Sequence, residues 1–281
     1  MHKGILSKWL KAGYVENNRK FSTTEGTPQG GIISPTLLVH TLTGLDAAIR
    51  KVVHRNDKVN IVVYADDFIV TGKSKEVLSE KVKPAIVEFL KVRGLELSEE
   101  KTKITHINDG FNFLSQNIRK YNGKLLIKPS KDSIKRFMAN IRSVIKLNST
   151  ARSEGILNLL CPKIRGWGNY HRHVVSKEIF YKVDHLIFDR IWRWSKRRHP
   201  NKSIKWIKKK YYRYSRGRDW IFSTYVNKTN GEQYYYDLFC MGTILIKRHT
   251  KIRSGANPYD PEYFWYFEER KRIAGSAKLA L

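Results

Sequence analysis

The chain has 281 residues, with 54 Lys and Arg residues against 25 Asp and Glu residues, so its formal net charge is +29. Like charges at this density repel one another unless a polyanion neutralises them, which excludes an ordinary enzyme of small metabolites as first choice and indicates a nucleic-acid partner. A hydrophobic content of 41% excludes a disordered basic tail. There is neither an apolar run long enough for a membrane helix nor a cysteine framework for disulfides. We therefore expect a cytoplasmic protein with no membrane partner.

The basic excess belongs to the C-terminal part of the chain. Residues 1–118 hold 17 basic and 13 acidic residues, whereas residues 119–281 hold 37 basic and 12 acidic ones. Within the second part, residues 131–218 carry 24 basic residues against 5 acidic ones. The asymmetry predicts an N-terminal module that uses carboxylates, followed by a module that binds phosphates. Solvated helix faces are the alternative, which the length of the basic region and its interleaved aromatic residues disfavour.

Apolar periodicity and turn residues predict an α+β fold for the N-terminal module, with an antiparallel sheet and helices on one face. Ser34 is a natural N-cap and Pro35 a natural first helical residue. Apolar strands flank Asp66-Asp67 as in a β-hairpin, and Asn122-Gly123 is a strong hairpin turn. The expected elements are helices over 5–15, 35–53 and 75–93, the hairpin over 59–71, and strands over 102–107, 111–119 and 124–128.

From residue 131 the apolar period changes to 3.6, which predicts a helical domain followed by a mixed basic extension. His199-Pro200 ends the last of the long helices. The expected elements are helices over 131–147, 153–174, 177–198 and 205–212, strands over 220–226, 233–238 and 243–248, and a helical segment over 258–272.

Two adjacent aspartates at a hairpin tip require a reason, because their charges repel one another. Carboxylates on a rigid tip can hold Mg²⁺, and a pair of such ions activates a 3′-hydroxyl and stabilises the pyrophosphate leaving group. Aspartate also favours turns regardless of chemistry, and for an isolated Asp-Asp turn that plainer interpretation is favoured. The surrounding motifs decide between the two interpretations.

These motifs resemble the reverse transcriptases encoded by group II introns, in the order of that family and over nearly the whole chain. The matching segments are Gly26–Pro35, Tyr64–Asp67, Gly94–Thr102, Gly110–Leu114, Arg165–Arg172, Lys247–His249 and Asn257–Glu262. The resemblance implies a polymerase palm over 1–130, a thumb or maturase domain X over 131–202, and a basic, nucleic-acid-binding extension over 203–281. It implies Mg²⁺-dependent cDNA synthesis from an RNA template, a DNA primer and dNTPs, together with binding of group II intron RNA and assistance to its splicing.

The resemblance also assigns roles to individual residues. Asp66 and Asp67 correspond to catalytic, metal-binding carboxylates of the palm. The residues implied to bind the incoming nucleotide and template are Pro28, Gln29, Gly30, Ala65, Phe68 and Lys101. Lys101 corresponds to a cation near the nucleotide phosphates, where it helps pyrophosphate to leave.

Several departures from the family pattern carry expectations of their own. Ser115 stands where the family has glycine after Phe-Leu. The family's early palm strand, with a further metal-binding aspartate, has no counterpart, because Asp46 and Asp57 follow the Pro-Gln-Gly loop. We therefore expect an incomplete two-metal site, no independent polymerase activity, and an N-terminal chain as a possible complement. Without paired cysteines after Cys240, we expect no nuclease domain.

The thumb-like region combines cations for phosphates with aromatic rings, the mixture that binders of structured RNA use. The residues we expect to bind RNA are Arg165, Arg172, Arg190, Arg193, Lys196, Arg197 and Arg198. For Trp167, Trp192 and Trp194, helix packing is favoured over base stacking. Cys161 with His171 and His173 is a weak zinc pattern, and surface positions are favoured instead.

Two alternatives to a reverse transcriptase remain at the level of the sequence. One is a non-enzymatic RNA-binding maturase fragment in which Asp66 and Asp67 have no role. The other is a nonfunctional fragment whose palm sheet has an open edge and is liable to aggregate. RNA binding that is independent of the aspartates distinguishes the first alternative, and a cooperative thermal transition argues against the second.

Overall fold

The computed structural model describes residues 3–22, 33–227, 231–253 and 255–279. The chain forms two compact units, Met1–Thr105 and His106–Leu281. The described strands form four small antiparallel sheets, each of two or three strands, and helices pack beside them. The fold is therefore mixed α and β, as expected, although the strands belong to several small sheets instead of one. None of the helices in the described part is long and apolar enough to cross a lipid bilayer.

The first unit places a β-hairpin beside helices. The elements of this unit are α1 (Lys3–Lys11), β1 (Tyr14–Glu16), β2 (Arg19–Phe21), α2 (Ser34–Leu42), α3 (Leu45–Val52), β3 (Asn60–Tyr64), β4 (Asp67–Thr71) and α4 (Lys83–Lys91). A π-helical turn over Val77–Val82 runs directly into α4. The predicted hairpin and the helical character of 75–93 are confirmed.

The single helix predicted over 35–53 is wrong, because the chain breaks between α2 and α3 at Gly44. Gly44 has φ 94°, a left-handed conformation that glycine adopts without a steric penalty. Ile33, rather than Ser34, precedes the first helical residue of α2, so the predicted N-cap is also wrong. The predicted apolar face nevertheless survives the break, since Leu42, Leu45 and Ile49 are all buried with residues of α4.

The second unit contains a three-stranded sheet, a bundle of three long helices and a second three-stranded sheet. Its elements are β5 (Phe111–Phe113), β6 (Gln116–Tyr121), β7 (Lys124–Pro129), α5 (Lys131–Leu147), α6 (Ser153–His171), α7 (Lys177–Arg198), α8 (Ile204–Tyr211), β8 (Tyr212–Ser215), β9 (Arg218–Asn227), β10 (Gln233–Asp237) and α9 (Phe264–Leu279). Helices α5 and α7 have the predicted bounds. Asn122 and Gly123 both have positive φ, as the predicted β6–β7 turn requires.

Three strand predictions differ from the structure. Residues 102–107 form no strand, and the segment 111–119 is interrupted by a turn at Leu114-Ser115. Residues 243–248 form no strand, because Thr243 ends a 3-10 helical turn over Met241–Thr243 and residues 244–248 pair with no strand of the described chain. The Lys177 ammonium donates hydrogen bonds to the Gly242 and Ile244 carbonyls of this segment.

The bundle core is formed by apolar residues of α5, α6 and α7, including the fully buried Ile141, Leu157, Leu160, Phe180 and Ile187. The segment that contains Met241 and Ile244 packs on α6, where Gly168 lies against both residues. Trp194 is buried in this core, and Trp167 and Trp192 pack against it, which confirms the packing role predicted for the tryptophans.

Two glycines of α6 provide a matched test of this close packing. A Cβ at residue 168 would overlap Ile244 and lie 3.0 Å from Met241 Cγ, whereas a Cβ at Gly166 meets nothing within 4 Å. We expect Gly168→Ala to lower the free energy of unfolding by about 1–3 kcal/mol through overpacking. Gly166→Ala should raise it by up to about 1 kcal/mol, because alanine favours the helix. Urea denaturation of both variants checks the prediction, and equal effects would contradict it.

Candidate metal site and nucleic-acid interface

Asp66 and Asp67 lie at the tip of the β3–β4 hairpin. The strands pair with Tyr64 opposite Asp67, which leaves Ala65 and Asp66 as the two turn residues. Ala65 has φ 52°, in the left-handed region that favours glycine. The tight turn therefore carries backbone strain next to the aspartates, and such strain is often found at functional sites.

The carboxylates of Asp66 and Asp67 are exposed, and within the described residues neither side chain makes a hydrogen bond or ion pair. Their oxygens are thus free to bind a hard cation. Proteins commonly hold Mg²⁺ through one or two carboxylates, with water and phosphate oxygens completing the coordination. Asp66 and Asp67 supply ligands of this type. The described part of the chain shows no cluster of three or more His, Cys, Asp or Glu side chains that could hold a metal.

The hairpin has one face toward the helices and one face exposed. Phe68 packs against the apolar cluster of α3 and α4, so the ring is part of the hydrophobic core of this unit. On the other face, Val62 and Tyr64 are 58% and 62% exposed. Among the described strands, β3 and β4 pair only with each other, so their outer edges are unpaired there. Exposed apolar residues beside unpaired strand edges form a surface that can accept another strand.

The remaining residues predicted to bind nucleotide are Lys101 and the loop residues Pro28, Gln29 and Gly30. Lys101 is exposed in a turn, and within the described residues no hydrogen bond or ion pair joins it to Asp66 or Asp67. Pro28, Gln29 and Gly30 lie outside the described residues. Their roles stay predictions.

Helix α7 presents a row of cations to solvent. Arg190, Arg193 and Arg197 follow one another at intervals of three and four residues, so they lie on one face of the helix. Arg193 and Arg197 are exposed, as is the neighbouring Lys196. A second row on α5, Lys135, Arg142 and Lys146, is also exposed, and the sequence prediction omitted it although the helical spacing of these cations was a readable signal.

Arg198 differs from the other arginines of α7. Its guanidinium donates hydrogen bonds to the Ser149 and Ala151 carbonyls, at 3.1 Å and 2.7 Å, and lies over the Trp194 ring. These carbonyls lie just beyond the C-terminal end of α5, in the loop to α6. Arg198 thus joins α7 to this loop, whereas its predicted contact with RNA remains a prediction.

Arg165 of α6 and Arg172, which follows α6, were both predicted to bind RNA, and they have different environments. The Arg165 guanidinium is exposed and lies 4.9 Å from the centre of the Phe239 ring. Arg172 is half-buried, and its carbonyl accepts a hydrogen bond from the Lys247 amide. Arg165 therefore has a guanidinium available to a phosphate, and Arg172 also anchors the segment that follows Ile244.

The surface positions predicted for Cys161 and His171 are wrong. Cys161 is 1% exposed and His171 is fully buried beside Ser133 and Trp167. Burial lowers the pKa of His171 to about 4, with the charge of His173 as a smaller cause. The three residues have separate partners, and they pack within the bundle and against the sheet.

The turn between β5 and β6 explains one departure from the family pattern. Leu114 and Ser115 have φ 47° and 64°, so Ser115 occupies a left-handed position that favours glycine. The Tyr170 hydroxyl donates a 2.7 Å hydrogen bond to the Leu114 carbonyl. A contact from α6 therefore holds this turn in place although it lacks glycine.

Two protein-family models match separate parts of the chain. Residues 1–118 match the model for reverse transcriptases (RNA-dependent DNA polymerases), and residues 134–212 match that for the group II intron maturase-specific domain. The group II intron-encoded protein LtrA of Lactococcus lactis subsp. cremoris is 27% identical over 218 residues, covering 50% of this chain and 36% of that protein.

Two further relatives have similar coverage. Protein YkfC of Escherichia coli is 30% identical over 146 residues, which covers 41% of this chain and 38% of that protein. The ribosomal operon-associated A protein of Euglena longa is 27% identical over 158 residues, which covers 54% of this chain and 30% of that protein. The chain thus spans about a third of the length of the curated relatives it matches.

Proposed function

Because the chain belongs to the family of group II intron-encoded reverse transcriptases and maturases, we propose that it binds group II intron RNA and assists its splicing. The observation that carries the proposal is the exposed row of arginines on α7, inside the region that matches the maturase-specific domain. Exposed guanidinium groups at helical spacing suit the phosphates of a folded RNA. The cytoplasm is the location we propose for this activity.

We propose three functional regions, with the palm over 1–130, the thumb or maturase domain X over 131–202, and a nucleic-acid-binding extension over 203–281. The family match to residues 1–118 supports the first region, and the match to residues 134–212 supports the second. The exposed Lys205, Lys209 and Lys210 of α8 support an RNA-binding role for the third.

We propose that Asp66 and Asp67 belong to a site for RNA-directed DNA synthesis. Their free carboxylates would hold Mg²⁺, which, when bound, supplies positive charge at the reacting phosphate and favours ionisation of a primer 3′-hydroxyl. Lys101 would bind the phosphates of the incoming dNTP, and Ala65 would allow the nucleotide to approach the turn. The RNA template and DNA primer would lie along the exposed face of the hairpin.

A further strand would complete this site. The exposed Val62 and Tyr64, beside strand edges that are unpaired among the described residues, support the pairing of another β-strand with this hairpin. We propose that a separate N-terminal chain can supply it, with the additional carboxylate that a second metal ion needs.

Metal binding at the hairpin can be measured without polymerase activity. We expect Fe²⁺, used in place of Mg²⁺ with ascorbate and peroxide, to cleave the backbone next to Asp66 and Asp67, because radicals form at the bound ion. Cleavage should fall at least tenfold in the double variant Asp66→Asn/Asp67→Asn. Asp46→Asn is the matched control, since Asp46 is paired with Arg50 on α3. Cleavage that persists in the double variant would contradict the proposed site.

The alternative is a non-enzymatic RNA-binding fragment, which the exposed cations favour equally and in which Asp66 and Asp67 have no role. The iron-dependent cleavage distinguishes the two, because only the proposed metal site requires Asp66 and Asp67. Robust primer extension on an RNA template with Mg²⁺ that is lost in Asp66→Ala would exclude this alternative, and it would also contradict the expectation that the chain has no independent polymerase activity.

A further inference from the structure

A cavity of about 700 Å³ lies between α7 and the β8–β9–β10 sheet. This volume falls within the range of sites that hold nucleoside-sized or larger ligands. The aromatic side chains that line it are Tyr181, Phe188, Trp192, Trp220, Phe222 and Phe239. The cavity is half-open to solvent, so its rings form walls that a flat ligand can reach from outside.

Trp220 is held at this cavity in an unusual backbone conformation. Its φ is 61°, a left-handed value that is rare for a bulky residue, and such strain persists only where the surroundings impose it. The Asp219 carboxylate accepts the Trp220 amide hydrogen at 2.9 Å and pairs with Lys208 at 3.0 Å. The Lys208 ammonium in turn lies 4.5 Å from the centre of the Trp220 ring.

The rings around Trp220 meet edge to face, so they do not fill the cavity as a stack. The Trp220 ring centre lies 5.4 Å from that of Trp192 at 75°, and 6.4 Å from that of Phe188 at 81°. Trp220 stays partly exposed at the cavity, so part of its ring is accessible to a planar ligand.

The acidic groups of the cavity already have partners. Asp184 accepts hydrogen bonds from the Met241 and Gly242 amides and from the Cys240 thiol, and Asp219 is paired with Lys208. Arg218 donates to the Cys240 sulfur. The charge of Asp219 is therefore paired with a cation, and the charge of Asp184 is stabilised by hydrogen bonds.

We propose that this cavity takes an unpaired nucleobase of bound RNA, which stacks on the Trp220 ring. This inference rests on the proposed RNA binding and adds base recognition to it. A planar, aromatic ligand attached to phosphates fits an aromatic cavity in the part of the chain, residues 119–281, that holds 37 basic and 12 acidic residues. Aromatic rings beside cations are the usual means by which proteins bind unpaired bases.

The test compares two fluorescently labelled oligonucleotides with equal charge, a 12-nucleotide oligoadenylate RNA and its abasic counterpart. We expect the unmodified protein to bind the base-containing oligonucleotide about tenfold more tightly, as measured by fluorescence anisotropy. Trp220→Leu should reduce this preference to less than threefold, whereas Trp220→Phe should keep most of it. Trp265→Leu is the control, since Trp265 is 79% exposed on α9.

The outcomes distinguish a failure of the cavity proposal from a failure of the proposed RNA-binding function. Equal binding of both oligonucleotides by the unmodified protein would overturn the cavity proposal and leave phosphate binding intact. A preference that is lost in Trp265→Leu and kept in Trp220→Leu would also overturn it. If neither oligonucleotide binds, the RNA-binding function and the cavity proposal fail together. If Trp220→Leu does not fold, Trp220→Phe and the unmodified protein keep the proposal testable, because equal binding of both oligonucleotides by the unmodified protein would overturn it.

Discussion

Replacing Arg193 and Arg197 together with glutamine is expected to weaken binding of a group II intron RNA about 100-fold at low salt. Both side chains are exposed on one face of α7. Each guanidinium that contacts a phosphate releases about one counterion, so losing two contacts should reduce the slope of log K against log salt by about 2. Filter binding or anisotropy at four salt concentrations measures both quantities.

Arg198→Gln is the comparison for this double variant. It removes one positive charge instead of two, at the residue after Arg197, and the Arg198 guanidinium is hydrogen-bonded to the Ser149 and Ala151 carbonyls. We therefore expect a loss of about 2 kcal/mol in the free energy of unfolding, since bonds to a charged donor are lost. Because only one guanidinium is removed, the salt slope of RNA binding should fall by no more than about 1. Equal slopes for Arg198→Gln and Arg193→Gln/Arg197→Gln would contradict the assignment.

Acid should destabilise the protein through His171. In the folded protein, burial lowers the pKa of this imidazole from an ordinary value near 6.5 to about 4. Its Nδ1 has no hydrogen-bond partner within the described residues, and Nε2 lies 3.3 Å from Ser133 Oγ. Between pH 6.5 and 4 the unfolded chain binds a proton that the folded protein does not. As the pH decreases through this window, the free energy of unfolding therefore decreases, by up to about 3 kcal/mol from this residue.

Urea denaturation at pH 7.5, 5.5 and 4.5 measures this effect. His171→Gln should be less stable than the unmodified protein at pH 7.5 but should show a smaller loss on acidification, because the buried titrating group is gone. His185→Gln removes an exposed histidine of α7 and should leave the pH dependence unchanged. Identical pH dependence of His171→Gln and the unmodified protein would exclude His171 as the cause.

The long helices were predicted well because apolar residues recur at helical spacing along their whole length. Helix α7 repeats apolar residues over 22 positions, and its bounds match the prediction. The hairpin around Asp66 was readable from apolar runs on both sides of a polar pair. The break at Gly44 was missed because the apolar face continues through it, so that periodicity alone gives one helix where backbone conformation gives two.

The candidate site was only partly readable for a different reason. Exposed cations such as Arg193 can be inferred from charge and helical spacing. Whether an arginine binds a ligand or a carbonyl depends on the loop that lies beside it, and sequence spacing contains no such information for Arg198. The same is true of Trp220, whose strained conformation and partner Lys208 come from a turn and a neighbouring helix. Burial of His171 likewise follows from three packed helices.

The central claim is that RNA binding depends on cations of the maturase-specific region and is independent of the two carboxylates at the β3–β4 tip. Its most direct test is the salt dependence of intron RNA affinity for the unmodified chain, Asp66→Asn/Asp67→Asn and Arg193→Gln/Arg197→Gln. We predict the same steep slope for the first two proteins and a slope reduced by about 2 for the third. An unchanged slope in the arginine variant, or an equal loss of affinity in the aspartate variant, would contradict the claim.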